Sequence, residues 1–315
     1  MVGGVFSVKL GLLGCWWLGY FIIHSRILKR VAMKTIDEYK AALEWRLAGA
    51  GLESSDLANE LRYSETADEL LSLLKMHMTQ WVLDFKVTGA ELESLFGQKR
   101  LSEYGIYTGN KQVTINEAYS VYAFGQASIV QRGDYCVAHF FEHSSGEIMD
   151  GKGRFYHQST GKAYDGSLIF AHHEANVTAF DQAQLTLMDQ AKGELYQQSS
   201  GIATGHGTLY CHDSSFGFLT GNSMGWFLHN SMGQCEGNSQ FLARHAADVE
   251  AYGQCTGFAR EKATISLADK AKLSLGPDFE GVIHQSNRTP IEQMTEEECS
   301  KFIGVKATRK QGLGL

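Results

Sequence analysis

From Ala175 to Asp278 one alternation of apolar and polar places recurs thirteen times without a gap, in blocks of eight residues. Units such as "ANVTAFDQ", "AQLTLMDQ" and "ADVEAYGQ" carry a small residue at place one, apolar residues at places three and five, and mostly polar residues between. Alternation over five residues marks a strand with one buried face. The Asp, Gly, His, Asn or Gln at places seven and eight are residues that turn a chain. Each octad therefore predicts one strand and one bend. Units beginning at Tyr119, Ala127, Tyr135, Ser144, Gly151, Ser159 and Gly166 extend the pattern backwards, and their lengths of nine and seven residues cancel.

Place seven shows how many octads close one coil. Asp181, Gln197, Asp213, His229, His245 and Glu261 form one column, and Gly205, Gly221, Gly237 and Gly253 fall together in another. Only a spacing of sixteen separates the two. Like bends stack on like bends in a solenoid, so two octads make a coil. The expected fold is mainly β: a parallel β-helix, or β-solenoid, of about ten two-sheeted coils, roughly 48 Å long at about 4.8 Å per rung. The small residues of place one are expected where the two sheets lie close.

A helical period precedes the repeat. Thr35 with Glu38, Thr66 with Glu69 and Thr88 with Glu91 each fit a capping box. The run "ADELLSLLKMHMTQWVLDF" keeps an apolar face through Leu70, Leu71, Leu74, Met78, Trp81 and Phe85. Downstream, "TPIEQMTEEECSKFI" predicts a short helix capped by Thr289, with Pro290 in its first turn and Glu292 at its third position. The organisation expected is a hydrophobic segment over 1–32, a helical region and cap over 33–110, the octapeptide-repeat solenoid over 111–278, and a C-terminal helix and tail over 279–315. A helical cap has a purpose, because a solenoid end leaves an unpaired sheet edge.

The run from Val5 to Ile23 holds one charge, Lys9, and Arg26, Lys29 and Arg30 follow it. It reads either as a membrane anchor or as an extension upstream of a start at Met33. By the positive-inside rule an anchor would leave the solenoid in the cytoplasm, where the second reading also puts it. Composition agrees with continuous backbone pairing: 34 Gly stand against 2 Pro, and Pro lacks the donor that a ladder needs. A net charge of −7 offers no basic field for nucleic acid. Six cysteines show no CxxC or zinc spacing and read as small buried hydrophobes in a reducing compartment.

The octads "ADVEAYGQ", "ANVTAFDQ" and "ATISLADK", with the entry "SLFGQKRLSEYGIYTGNKQVTINEAYSVYAFGQA", resemble the octapeptide repeats of uncharacterised β-solenoid proteins of bacteria and their phages. The resemblance covers roughly residues 90 to 278. It implies a shape and no activity, so no functional residue is carried over. The glycine-heavy middle units depart from the commoner Ala-x-Val-x-Ala form.

The outward fourth place supplies the candidate binding face. On one sheet it reads Thr178, Glu194, Tyr210, Trp226, Leu242, Phe258 and Ser274, with Met224 and Leu228 beside it. Four apolar rungs in a row imply a partner, either another protein or a second copy, or else a cover formed by the flanking helices. Stacking of a glycan on Tyr210 and Trp226 is the rival, as in carbohydrate-binding or polysaccharide-cleaving solenoids of phage fibres and adhesins. His229 and His245 are expected one above the other, with Asp213, Glu261 and His212 near. Imidazoles filling bends are the simpler reading than a metal site, and their protonation is expected to weaken the rod below about pH 6. Asp165, Asp181 and Asp213 could pair as acid and base, yet all three occupy bends where Asp turns the chain. With no nucleophile motif, phosphate loop or cofactor signature present, the expected role is a non-catalytic scaffold.

Overall fold

In the computed structural model, which describes residues 35–117, 120–286, 289–295 and 298, the chain divides into two compact units at Gly97 and Gln98. The first is helical: α1 (Ile36–Gly49), α2 (Asp56–Tyr63), α3 (Ala67–Met76), α4 (Met78–Leu83) and the start of α5 (Gly89–Glu103). The expected caps form. The Thr66 hydroxyl accepts the Glu69 N–H and the Glu69 carboxylate accepts the Thr66 N–H, while Thr88 and Glu91 make the same exchange. Thr35 accepts the Glu38 N–H. Tyr39, Leu43 and Leu47 bury one face of α1, and Leu70, Leu74 and Trp81 are buried with them in this unit's core. The long apolar run is two helices, not one, because the backbone leaves helical geometry at His77. α5 breaks at Gly97, whose φ of 73° suits glycine.

The second unit is a two-sheeted parallel β-solenoid. Sheet A holds the odd strands from β1 (Ile106–Tyr107) to β23 (Val282–Gln285), and sheet B the even strands from β2 (Gln112–Ile115) to β24 (Glu292–Gln293). Each sheet has twelve strands, so there are twelve coils where the octads indicate ten. The coil begins before residue 111, at β1, and continues past 278 into β23 and β24. Partners are sixteen residues apart through the regular part, as where Asn176 pairs with Lys192 and Lys192 with Thr208. The cancelling irregularities are present too: Ser120 pairs with Val137, and Val137 with Lys152.

Places three and five face inward and build a continuous core from residues such as Val177, Leu185, Leu209 and Phe227. Place one is fully buried at each corner; Ala175, Ser199 and Cys255 show no exposure. Its N–H closes the bend, as where Ala175 donates to the His172 carbonyl at 3.1 Å. The glycine-heavy units are ordinary strands. Their glycines at place three face large side chains, a Cβ on Gly225 lying 2.5 Å from Leu219 and one on Gly233 2.3 Å from the Phe227 ring, and the same holds outside them, where a Cβ on Gly146 would lie 2.2 Å from Phe140 and one on Gly257 2.0 Å from Phe241. Missing side chains and bulky ones are thus two halves of the same packing.

One expectation is overturned. Thr289 does not open a helix: the segment after it is extended, Glu292 pairs with Ser274, and the Met294 N–H donates to the Leu275 carbonyl at 2.9 Å. Strand addition to an open edge satisfies these backbone groups in one step. Further on, Glu298 is helical and its carboxylate accepts from the Thr295 N–H and hydroxyl; the other residues of the expected C-terminal helix, and the run from Val5 to Ile23, lie outside the described residues. Among the described residues no helix is long and apolar enough to cross a membrane.

Candidate functional site

The bends are the most uniform chemistry of the solenoid. The bend residue adopts positive φ at every bend from Asp165 to Asp269, between 51° at Asp165 and 72° at Gly221. Gly205, Gly221, Gly237 and Gly253 form a single file: a Cβ on Gly221 would meet Gly205 N at 3.4 Å, and one on Gly237 would meet Gly221 N at 3.2 Å. A backbone N–H at such a bend is turned out of the ladder. Several polar side chains at place seven cap the N–H of the coil before. The Asp181 N–H donates to Gln197 Oε1 at 2.6 Å, Gln197 to Asp213 Oδ2 at 3.3 Å, His245 to Glu261 Oε2 at 2.9 Å and Gly253 to Asp269 Oδ2 at 3.1 Å.

Histidine joins this scheme as an acceptor through Nδ1. His229 and His245 stack at 4.9 Å with planes 10° apart, and the His229 N–H donates to His245 Nδ1 at 3.4 Å. A second pair lies on the other column. His157 and His173 stack at 5.3 Å, with His157 Nδ1 accepting from Glu142 N–H and His173 Nδ1 from His157 N–H. The irregular lengths of the early units mask this pair in the octad pattern. Asp213 and Glu261 act as caps in the same column as His229 and His245, and His212 stacks on Tyr196 at 4.6 Å. Among the described residues no three His, Cys, Asp or Glu side chains converge as metal ligands. Asp165, Asp181 and Asp213 all sit at positive φ, the bend geometry that short polar side chains tolerate.

The apolar ladder stands on sheet B as one file. Glu194 pairs with Tyr210, Tyr210 with Trp226, Trp226 with Leu242, and Leu242 with Phe258. It splits into two halves. Leu242 and Phe258 are buried, with Met294 of the last coil, Trp226 and Leu228 packed on them. Tyr210, Trp226 and Leu228 remain partly exposed, and Met224 is 38% exposed. A cover from the flanking segments is one of the expected alternatives, and Met294 of the segment after Thr289 supplies it over Leu242 and Phe258, from an extended strand instead of a helix. Burial beside Glu194 raises the Tyr210 hydroxyl above its ordinary pKa. On the N-terminal side the same face becomes a polar groove lined by Ser145, Thr160, Asn176 and the Lys162–Glu147 ion pair.

The two open rings touch each other. Tyr210 and Trp226 stack at 4.6 Å with planes 17° apart. Because the stack runs along the solenoid axis, the ring faces are turned toward neighbouring rungs and the edges outward. Sheet A has exposed apolar residues that the fourth-place file does not contain: Ile202, Phe216 and Met232. Their signal is the same outward alternation, read on the alternate octads. No protein-family model, no curated protein and no solved structure matches this chain.

Proposed function

We propose that this protein is a non-catalytic repeat scaffold whose sheet B presents a protein-binding face at Tyr210, Met224, Trp226 and Leu228, with Leu242 and Phe258 as its buried footing. The observation that carries the reading is the in-register file from Tyr210 to Phe258, half covered by Met294 and half open. A contiguous apolar strip on a rigid, repeating backbone is what a partner docks against with little ordering cost. The resemblance to octapeptide-repeat solenoids of bacteria and phages agrees with a scaffold, since it implies shape alone. Reduced, buried cysteines fit a cytoplasmic location, with a membrane anchor through residues 5–23 as the alternative arrangement.

A glycan is the rival ligand. Ring faces turned along the axis favour an apolar protein contact over flat stacking of a sugar, which needs a ring face presented to it. The test uses a photo-crosslinking residue at Met224, and at Lys192 on the polar part of the same face as a control. A protein adduct formed at Met224, absent at Lys192 and lost in Trp226→Asp, supports the reading; removing one buried aromatic anchor costs about 2 kcal/mol or more, some 30-fold in affinity. A glycan-array signal that falls in Tyr210→Ala and Trp226→Ala would replace it with the carbohydrate reading. Adducts indifferent to Trp226 would dismiss this face.

A further inference from the structure

The outer wall of sheet A, opposite the ladder, has an apolar middle and borders of opposite charge. Ile202 on β13 (Ser200–Ala203), Phe216 on β15 (Phe216–Leu219) and Met232 on β17 (Met232–Cys235) are 43%, 39% and 51% exposed. Three rungs before β13, β7 (Lys152–Phe155) turns Lys152 and Arg154 outward, both exposed. Three rungs after β13, β19 (Asp248–Ala251) turns out Asp248 and Glu250, both exposed. Among the described residues none of these four charges belongs to an ion pair within the chain. The basic and acidic strips therefore stand at equal distances, about 14 Å at some 4.8 Å per rung, on either side of β13.

That symmetry selects a partner. Two identical walls can meet face to face about a dyad in two simple ways. With the dyad along the solenoid axis, each rung faces its own copy, so Lys152 and Arg154 oppose themselves and Asp248 and Glu250 do likewise. With the dyad along β13, the axes run antiparallel and every rung before β13 faces the equivalent rung after it. β7 then meets β19, basic strip on acidic strip. β9 (Leu168–Ala171), whose outward residues are Leu168 and Phe170, meets Met232 on β17, and Ile202 meets its own copy at the centre. A dyad along β15 would lose this match, because β19 would face the neutral Gln184 and Thr186 of β11 (Gln184–Leu187).

We infer that the outer wall of sheet A is a self-complementary interface between two copies of this chain, antiparallel about a two-fold along β13, with Lys152 and Arg154 of one copy against Asp248 and Glu250 of the other. The inference is independent of the sheet B reading. The seven rungs form a strip roughly 30 Å long, at the small end of specific interfaces, so the dimer assembles with rising concentration. An isologous contact of this kind closes on itself and does not grow into filaments.

Sedimentation velocity of the full chain over a concentration series tests it. The wild type is expected to pass from monomer to dimer and stop there. Asp248→Lys with Glu250→Lys leaves two basic strips facing, and Lys152→Glu with Arg154→Glu leaves two acidic ones. Each double variant, its fold checked by circular dichroism, is expected to lose dimerisation by at least about 10-fold. An equimolar mixture of the two restores it, because both ends of the mixed pair are again complementary. A wild type that stays monomeric overturns the inference. So does association that ignores the exchanges, as contact through residues 5–23 would, and so does a mixture that fails to recover.

Discussion

The fit of glycine against phenylalanine across the core makes a quantitative prediction at Gly233. Its backbone is extended, so an alanine there would by itself stabilise the protein by about 0.4–1 kcal/mol through lost freedom of the unfolded chain. The core opposes this. A Cβ on Gly233 would lie 2.3, 2.5 and 2.7 Å from three ring carbons of Phe227, which is fully buried, where carbon contacts prefer about 3.5–4.0 Å. The ring is fully buried, and the Cβ positions that Gly217 and Gly225 leave empty lie 2.9 and 3.1 Å from it, so it fills the space those glycines spare. Overpacking of this kind costs about 1–3 kcal/mol, and the enclosed ring puts it at the upper end. Gly233→Ala should therefore destabilise by about 2 kcal/mol, a fall in Tm of roughly 4–8 °C. Phe227→Ala alone should cost about 3–5 kcal/mol, and in that background Gly233→Ala should become neutral or favourable. Urea unfolding of the four proteins, followed by far-ultraviolet circular dichroism, measures the coupling, expected near about 2 kcal/mol. Gly166, with nothing within 4 Å of its Cβ position, is the control at which alanine does no harm. Additive effects, or a stabilised Gly233→Ala, would refute the packing argument.

Acid should weaken the solenoid at His139. Burial, with the Arg154 guanidinium acting in the same direction, holds His139 down at about 4; the unfolded chain takes up its proton first, so stability complete above about pH 6.5 is lost between there and pH 4, on the order of 3 kcal/mol. His139→Phe should flatten that part of the urea midpoint against pH. His245 Nδ1 accepts the His229 N–H, so His245→Gln, which copies the cap that Gln197 provides, should keep the urea midpoint at neutral pH, whereas His245→Ala should lower it. The thiols of Cys211 and Cys235 are raised by burial, so iodoacetamide at neutral pH should leave both unlabelled by mass spectrometry until urea unfolds the coil. In the helical unit, Thr66→Ala should cost about 1 kcal/mol by removing the capping box, read as a lower unfolding midpoint.

The period was legible because a solenoid writes its geometry into every sixteenth residue. The file of four glycines alone excludes a longer coil. The two terminal coils were not legible, since β1 has only two residues and the last coil carries two extra ones between Ser274 and its partner Glu292. The fitness of the glycine-rich units was hidden for another reason: the ring that Gly233 accommodates stands in the facing sheet and the ring at Gly257 stands one rung away, sixteen residues back, so neither residue explains the other locally. At the candidate site Tyr210 and Trp226 could be read from alternation. The cover over Leu242 and Phe258 was legible as an alternative but not in its form, because Thr289, Pro290 and Glu292 imitate a helix start while an open sheet edge offers more hydrogen bonds. The histidines were legible as neighbours but not as acceptors, which requires knowing that the bend N–H is free of the ladder.

The bend caps all point one way, from a donor in one coil to a side chain in the coil that follows it. Shortening the protein is therefore unequal from its two ends. A cut that removes coils from the front takes away a donor and leaves only its acceptor side chain, which water can satisfy, whereas a cut at the back strands a donor such as that of Gly253, whose acceptor Asp269 leaves with the missing piece. During synthesis each coil is in the same position: its corner stays unfinished until the ribosome has delivered sixteen more residues.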